Sequence, residues 1–471
     1  MSKRCIVVLL LLLPLCCLGQ NNVLVIKNVA IIDVIDNKVT KDRLVVIEGN
    51  RIVSLDEKAS IPAQATILEG RGKYLIPGLW DMHTHSLRKG RLQYFFPLFI
   101  ANGVTGIRDM ASDMGLAEID HIRDEIQSSK ILGPRLGAVT GRILDGPPQP
   151  DTLLFTYPAN IDAAEEIVRS YKQQKADFIK VYNTLGKGIY LAIAGESKKL
   201  NIPFEGHVPF SSTAAEASNL GQRSIEHLSD ILISVSSKEV EIRKELTISA
   251  TAIQGTIKRM QASFKATETY DDEKAAALFS IFLRNETWQC PTLRNLQIFS
   301  SGANLTRLLN DSRLKYFPGS LKETWKKALP ARIVGDSLQR AMFFKQSLKL
   351  VADMQRAGVK ILAGTDLANP FLMPGFSLHD ELELMVEAGL SPFEALQTAT
   401  INPAKFLQKD KDLGSVEKGK IADLILLDAN PLESISNTKK IYSVIVNGKF
   451  LSRTDVDNLL MQVEGDVSFV K

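Results

Sequence analysis

Two histidines stand two residues apart in Pro77-Gly-Leu-Trp-Asp-Met-His-Thr-His85. On a β-strand that spacing turns both imidazoles to one face, and two imidazoles at a strand end make a bidentate claw for a metal ion. Alone, the pair is more often two ordinary histidines. The chain has 6 histidines, however, and two more, His207 and His227, end strand-like pieces in Pro203-Phe-Glu-Gly-His207 and Ser224-Ile-Glu-His227. Asp366 ends the apolar run Val359-Lys-Ile-Leu-Ala-Gly-Thr-Asp366, and Lys180 ends Asp177-Phe-Ile-Lys180. An aspartate so placed is commonly a cap or turn residue, and a lysine commonly a solvated or paired side chain. Beside four strand-end histidines, Asp366 reads as a metal-bound general base and Lys180 as a further member of the set. Tyr182 shares the face of Lys180 if the strand continues, as a donor to a substrate carbonyl or as rim packing. Arg142 opens a Gly- and Pro-rich stretch and is read as facing substrate. His379 reads as packing in a helix, His121 as a solvated helix residue, and Cys290 as an inert buried thiol.

These side chains need a frame that brings strand ends together. Short strand-like pieces occur at 79–83, 103–107, 178–181, 203–206, 224–225, 288–292 and 359–363, with a weaker one near 134–138. Helical stretches such as 163–175 and 336–357 separate several of them. About eight β/α units predict an α/β chain whose core is a (β/α)8 TIM barrel, in which strand C-termini line the active-site mouth. Residues 20–76 and 411–471 instead read as short β-branched strands with reversals at Glu48-Gly49-Asn50 and Asn447-Gly448. The two ends are expected to build one small composite β-sandwich domain around a barrel spanning 77–410. A helical insertion at about 237–345 elaborates the loops after the sixth and seventh strands.

The chain resembles the amidohydrolase superfamily, and within it the imidazolonepropionase-like branch that includes binuclear, prolidase- and dipeptidase-like members. The resemblance covers nearly all of the chain beyond its first residues. It is carried by the His83/His85 stretch, Ile179-Lys-Val-Tyr182, Gly206-His-Val-Pro209, Ile225-Glu-His227, Ala363-Gly-Thr-Asp366, Asn402-Pro-Ala404 and Gly419-Lys-Ile-Ala-Asp-Leu424. It implies that His83 and His85 bind one metal with Asp366, that His207 and His227 bind a second, and that a carboxylated Lys180 bridges them. Two divalent ions, zinc by default for a His-rich, oxygen-completed set, would share a hydroxide that attacks a carbonyl carbon. Asp366 would carry the proton to the leaving nitrogen. The expected activity is hydrolysis of C–N bonds in small substrates, dipeptides above all. Arg313-Leu-Lys-Tyr-Phe-Pro318 in the insertion offers cations and an aromatic, Tyr316, to meet a peptide carboxylate and side chain. The alternatives are a cyclic amidohydrolase or lactonase on the same site, and a non-catalytic exported binding protein.

The bulk properties agree. The 471 residues are 45% hydrophobic and 23% charged, and 57 basic against 53 acidic residues leave a net charge of +4. So even a balance predicts no nucleic-acid surface, and a small molecule or short peptide is the expected partner. Lys3 and Arg4 precede an apolar run from Ile6 to Leu15, too short to span a bilayer but suited to a signal peptide over 1–19 with cleavage before Gln20. The expectation is an exported, periplasmic or secreted protein. Lipidation at Cys16 or Cys17 is the alternative that would tie it to a membrane. Cys5, Cys16 and Cys17 fall in the removable segment, leaving Cys290 without a disulfide partner.

Overall fold

The computed structural model describes residues 23–57, 59–147, 153–246, 252–300, 305–330 and 333–468. The signal-peptide and lipidation readings fall on residues outside these. Near the N-terminus, Val23–Asp33 pairs antiparallel with Lys38–Glu48, which pairs in turn with Arg51–Ser54. The other edge of Val23–Asp33 takes Thr66–Glu69 and Tyr74–Pro77 in parallel. Leu424–Leu427, Ile441–Val446 and Lys449–Leu451 then extend the sheet antiparallel from Tyr74–Pro77. Strands from both ends of the chain thus form one eight-stranded sheet. Their alternating Ile, Val and Leu side chains share a core in which Leu24, Ile26, Val45 and Ile47 meet Leu424, Leu426 and Ile445. The reversals at Gly49 and Gly448 touch: a Cβ on Gly448 would stand 2.0 Å from the Gly49 carbonyl oxygen, so only glycine fits.

The middle of the chain is a ring of parallel segments. Leu79–Thr84, Val104–Asp109 and Arg135–Val139 form one sheet. Ile179–Val181, Phe204–Gly206, Ser224–Glu226 and Trp288–Cys290 form another, extended by Ile143–Leu144 and Phe155–Thr156. Hydrogen bonds rather than a continuous ladder join the two. On one side Asp177 N donates to Val139 O (2.9 Å) and Thr140 Oγ1 to Phe178 O (2.7 Å). On the other, residues 360–366 bridge Trp288–Cys290 to the first strand, through Leu362 N to Gln289 O (2.8 Å) and Met82 N to Ala363 O (2.9 Å). The eighth strand expected at 359–363 is therefore an irregular segment with a single bridge, Gln289 to Ile361. The buried Asp81 carboxylate explains its end: it takes the Thr365 N–H (3.0 Å) and hydroxyl (2.6 Å), which diverts that backbone from a ladder.

Helices follow the strands and are set by local signals. Asn160 caps Ile161–Gln173, and capping boxes at Thr213/Glu216, Asp336/Gln339 and Ser391/Glu394 start Ala214–Asn219, Ser337–Arg356 and Pro392–Thr398. Between the sixth and seventh strands stand Ile231–Ser234, Glu239–Glu245, Ala252–Thr267 and Asp272–Arg284, the last three within the stretch read as an insertion. After the seventh strand come Leu293–Ser300, Leu305–Leu309, Ser312–Tyr316 and Gly319–Ala328. A C-terminal helix, Arg453–Ser468, packs on Leu92–Ala101 through a stripe that includes Val456 and Val463; the β-only reading of 411–471 lacked it. No helix among the described residues is long and apolar enough to cross a membrane.

The buried Trp80 ring lies across the neighbouring strands, where Gly106 and Gly137 leave room for it: a Cβ there would stand 2.4 Å and 2.3 Å from ring carbons. Gly106→Ala should therefore lower stability by about 1–3 kcal/mol, the usual cost of overpacking a core. Calorimetric melting of this variant beside Gly115→Ala, where an added Cβ meets nothing within 4 Å, checks it. Equal melting temperatures would show that Trp80 can move aside.

Candidate metal centre

The first strand delivers His83 and His85 to the barrel mouth. Their Nε2 atoms each lie 3.3 Å from Asp366 Oδ1, and the three ligand atoms fall within 4.8 Å of one another. His83 Nδ1 is 2.6 Å from Glu226 Oε2. A carboxylate can only accept there, so Nδ1 carries the proton and Nε2 keeps the lone pair a metal needs. The other Asp366 oxygen accepts the side-chain amides of Asn295 and Asn369, both at 2.7 Å. Asp366 is therefore held with one oxygen toward the histidines and the other restrained.

His207 and His227 come from the fifth and sixth strands. Their rings lie 4.8 Å apart, and His227 is 4.5 Å from the His83 ring. His207 Nδ1 is bonded to Asn183 Oδ1 (2.9 Å) and His227 Nδ1 to Thr292 Oγ1 (2.7 Å). The backbone is bent to make this possible. His227, Thr292 and Asp366 have φ of 59°, 49° and 64°, a region L-residues avoid and a β-branched threonine most of all. Successive strand residues point to opposite faces; leaving the extended conformation at His227 lets both Glu226 and His227 reach His83. Before His207, Gly206 has φ 133°, and a Cβ there would meet Val181 O at 2.3 Å and Lys180 Cδ at 3.0 Å.

Lys180 is 1% exposed and its Nζ has no hydrogen-bond partner. Burial brings its pKa down to about 8. Burial likewise lowers His85, takes His207 well below the usual histidine value and brings His227 to about 3, so these imidazoles are neutral. Burial pushes Asp366 the other way, but the neighbouring His227 and His83 prevail and hold its carboxyl well below the usual range. Beneath the ligands, fully buried Arg108 bonds Glu205 (2.7 Å), Glu226 (2.9 and 3.0 Å) and Ser224 Oγ (2.9 Å). Arg223 stands 3.9 Å from the other Glu205 oxygen, so two guanidiniums and two carboxylates pair beneath the site, and His83 shares Glu226 with Arg108.

This donor set fits metal. Neutral imidazoles and an ionised carboxylate are in ligand form, and buried His83 Nε2 and Lys180 Nζ lack hydrogen-bond partners. A second geometric grouping, His83 with Glu226 and Cys290, does not fit: Glu226 is spent on His83, and burial raises the Cys290 thiol well above its usual value. The six residues singled out by sequence, His83, His85, Lys180, His207, His227 and Asp366, thus converge. Tyr182 joins them, its ring 4.0 Å from that of His207. Two other candidates do not. Arg142 is exposed, with its backbone bonded to the Tyr171 hydroxyl (2.9 Å). Tyr316 is buried and stacked on Phe376 (5.6 Å), because the apolar residues around it are core, and Arg313 is spent on Asp311 and Asp380. His379 bonds Thr438 and the Asn102 carbonyl, and His121 lies on an exposed helix face beside Glu125. Sequence reasoning missed Arg108, Asn183, Glu226, Thr292 and Asn295. Only Glu226, adjacent to His227, carried a local signal.

Glu226→Gln keeps the shape but removes the charge that fixes the His83 tautomer. Loss of such a partner typically weakens metal affinity about 10–100-fold. Competition with a chelator, with circular dichroism as the folding control, measures it; unchanged affinity would make Glu226 merely a counter-ion for Arg108.

Residues 74–451 match the family model described as "Amidohydrolase family". Over 115 residues the chain is 35% identical to imidazolonepropionase of Shouchella clausii, covering 22% of this chain and 25% of that protein. Over 141 residues it is 30% identical to a 5-methylthioadenosine/S-adenosylhomocysteine deaminase of Thermoanaerobacter pseudethanolicus, covering 24% and 32%. The chain thus spans about a quarter to a third of the length of these curated relatives. A solved structure described as a prolidase of Bifidobacterium longum superposes with a TM-score of 0.68 at 23% identity, over 94% of this chain and 99% of that one, a likeness of fold. With the family model spanning both the terminal sheet and the barrel, the chain belongs to the amidohydrolase family.

Proposed function

We propose that the chain is an exported, binuclear metal-dependent hydrolase that cleaves C–N bonds of short peptides, dipeptides above all. The observation that carries this reading is Lys180: a buried, unpartnered amine with a pKa near 8, in electrostatic reach of Asp366, Glu226, His207 and His227. A neutral amine is the form that adds carbon dioxide, and the resulting carbamate presents anionic oxygens where a bare lysine would repel cations. His83, His85 and Asp366 would hold one ion, His207 and His227 the other, and carboxylated Lys180 both. Zinc is the ion such a set selects. Divalent metal bound there supplies activated water and positive charge for a developing oxyanion.

The chain's own residues do the rest. Asp366, ionised and held by Asn295 and Asn369, takes a proton from the attacking water and delivers it to the departing nitrogen. Tyr182, its ring 4.0 Å from that of His207, would donate to the scissile carbonyl in this reading. The prolidase-described fold neighbour supports a peptide substrate, while the local matches to imidazolonepropionase and a deaminase favour a second reading, attack on a cyclic amide or amidine.

A panel of dipeptides, cyclic amides and lactones offered to the zinc-loaded mature protein separates these. Dipeptide turnover is expected; turnover of cyclic amides alone would refute the peptide reading. Lys180→Ala should lose metal, with short carboxylic acids restoring part of the activity; full metal content and full rate would mean a mononuclear site. Asp366→Asn should keep the fold and lower kcat by at least the ~10²–10⁴ typical of general acid–base groups. N-terminal sequencing of protein from its host should begin near Gln20, and an intact Met1 would overturn export.

A further inference from the structure

Helix Ala252–Thr267 of the insertion lies over the loops that follow the fourth, fifth and sixth strands. A Cβ on its Gly255 would stand 2.7 Å from the Phe210 ring and 3.3 Å from Thr184 Cγ2. One turn on, Arg259 donates to the Val208 carbonyl (2.6 Å) and to Ser229 Oγ (2.9 Å), with its guanidinium 4.4 Å from the centre of the Phe210 ring. Val208 follows His207, and Ser229 comes two residues after His227. The Arg259 charge accordingly acts on both His207 and Tyr182.

Arg259 is 9% exposed, and no carboxylate oxygen hydrogen-bonds to its guanidinium. The nearest, Asp230 at 3.9 Å, is already taken by Arg243 (2.7 and 3.0 Å), Ser234 Oγ (2.8 Å) and Ala214 N (3.0 Å). Arg108, Arg135, Arg243 and Arg313 each have a carboxylate within 3.0 Å. Arg259 does not, and its buried Nε has no partner. An arginine carries five N–H donors; the two bonds to Val208 and Ser229 leave three of them unused. Burial lowers the Arg259 pKa to about 10, whereas at Arg108 two carboxylates outweigh burial and raise it. A desolvated cation with spare donors is costly unless an anion meets it at hydrogen-bonding distance, and Asp230, at 3.9 Å, is committed to Arg243 instead.

We propose that Arg259 is the anchor for a carboxylate on the substrate, the free C-terminal carboxylate of a dipeptide, which restricts the site to substrates ending one residue beyond the scissile bond. The inference rests on the peptide reading above and deepens it. The guanidinium fork matches a carboxylate in a bidentate way. The reach agrees as well: one residue spans about 3.8 Å, so the anchor must stand beside the catalytic residues, and Arg259 is bonded to the residue that follows His207.

The test is calorimetric binding to the zinc-loaded mature protein of N-acetylglycine and N-acetylalanine, each beside its primary amide. The wild-type protein should bind the acids at least tenfold more tightly than the amides. Arg259→Met should abolish that preference by weakening the acids alone, with metal content unchanged, and Arg259→Lys should keep part of it. Equal binding of acid and amide by the wild type, or an Arg259→Met loss that affects both or removes metal, overturns the anchor and leaves Arg259 as a tie between two loops. If Arg259→Met does not fold, the wild-type comparison and Arg259→Lys decide. An acid preference with no cleavage of any dipeptide would refute the peptide reading and leave the anchor standing.

Discussion

Glu226 sits where two demands meet. One of its oxygens takes the His83 Nδ1 proton at 2.6 Å and so sets which nitrogen of the ring faces the site. Both oxygens also take the Arg108 guanidinium, at 2.9 and 3.0 Å. Arg108 is wholly buried, and such a charge persists only when fully paired. Glu205 completes the pairing from the neighbouring strand. The arrangement joins the first, second, fifth and sixth strands by charge as well as by backbone ladder. Arg223, 3.9 Å from Glu205, adds a second cation to this layer, so the charges beneath the imidazoles are matched.

Above that layer the backbone departs from regular geometry where side chains must be aimed. His227, Thr292 and Asp366 all lie at positive φ. Backbone strain of this kind survives where surrounding contacts over-determine it, and it gathers at functional sites. Thr292 holds His227, and Asn295 holds Asp366. The loop and helix after the seventh strand therefore give no ligand yet fix two of them, and Glu381 secures the start of that helix by accepting the Leu293 and Arg294 N–H groups (2.9 and 2.6 Å). Asp81 does the same for the closing segment through Thr365.

The helical insertion divides into two parts of different character. The stretch before the seventh strand places Ala252–Thr267 against Phe210, Val208 and Ser229, hence over the mouth. The stretch after it packs inward on itself and on the C-terminal part of the chain: Tyr316 stacks on Phe376, and Trp325 lies between Phe317 and Phe371. Both stretches are amphipathic helices rich in cations and aromatics, so composition does not distinguish one that roofs a site from one that thickens a wall.

Strand-end chemistry was legible in the sequence because a strand imposes a period of two and a barrel collects strand C-termini at one rim. His83, His85, Lys180, His207, His227 and Asp366 follow from those rules, as do the alternation of strands and helices and the β-rich ends. What remained hidden depends on contacts between residues far apart in the chain. Arg108 meets Glu226 across 118 positions and Asn295 meets Asp366 across 71. Nothing local to Arg142 or Tyr316 tells a substrate-facing side chain from an exposed or packed one, and nothing local to Arg259 reveals a buried cation whose nearest carboxylate, Asp230, is held by Arg243. Periodicity and residue type decide which side chains are able to act. Only tertiary packing decides which charges are matched and which protons are fixed, because burial and pairing are properties of the assembled core.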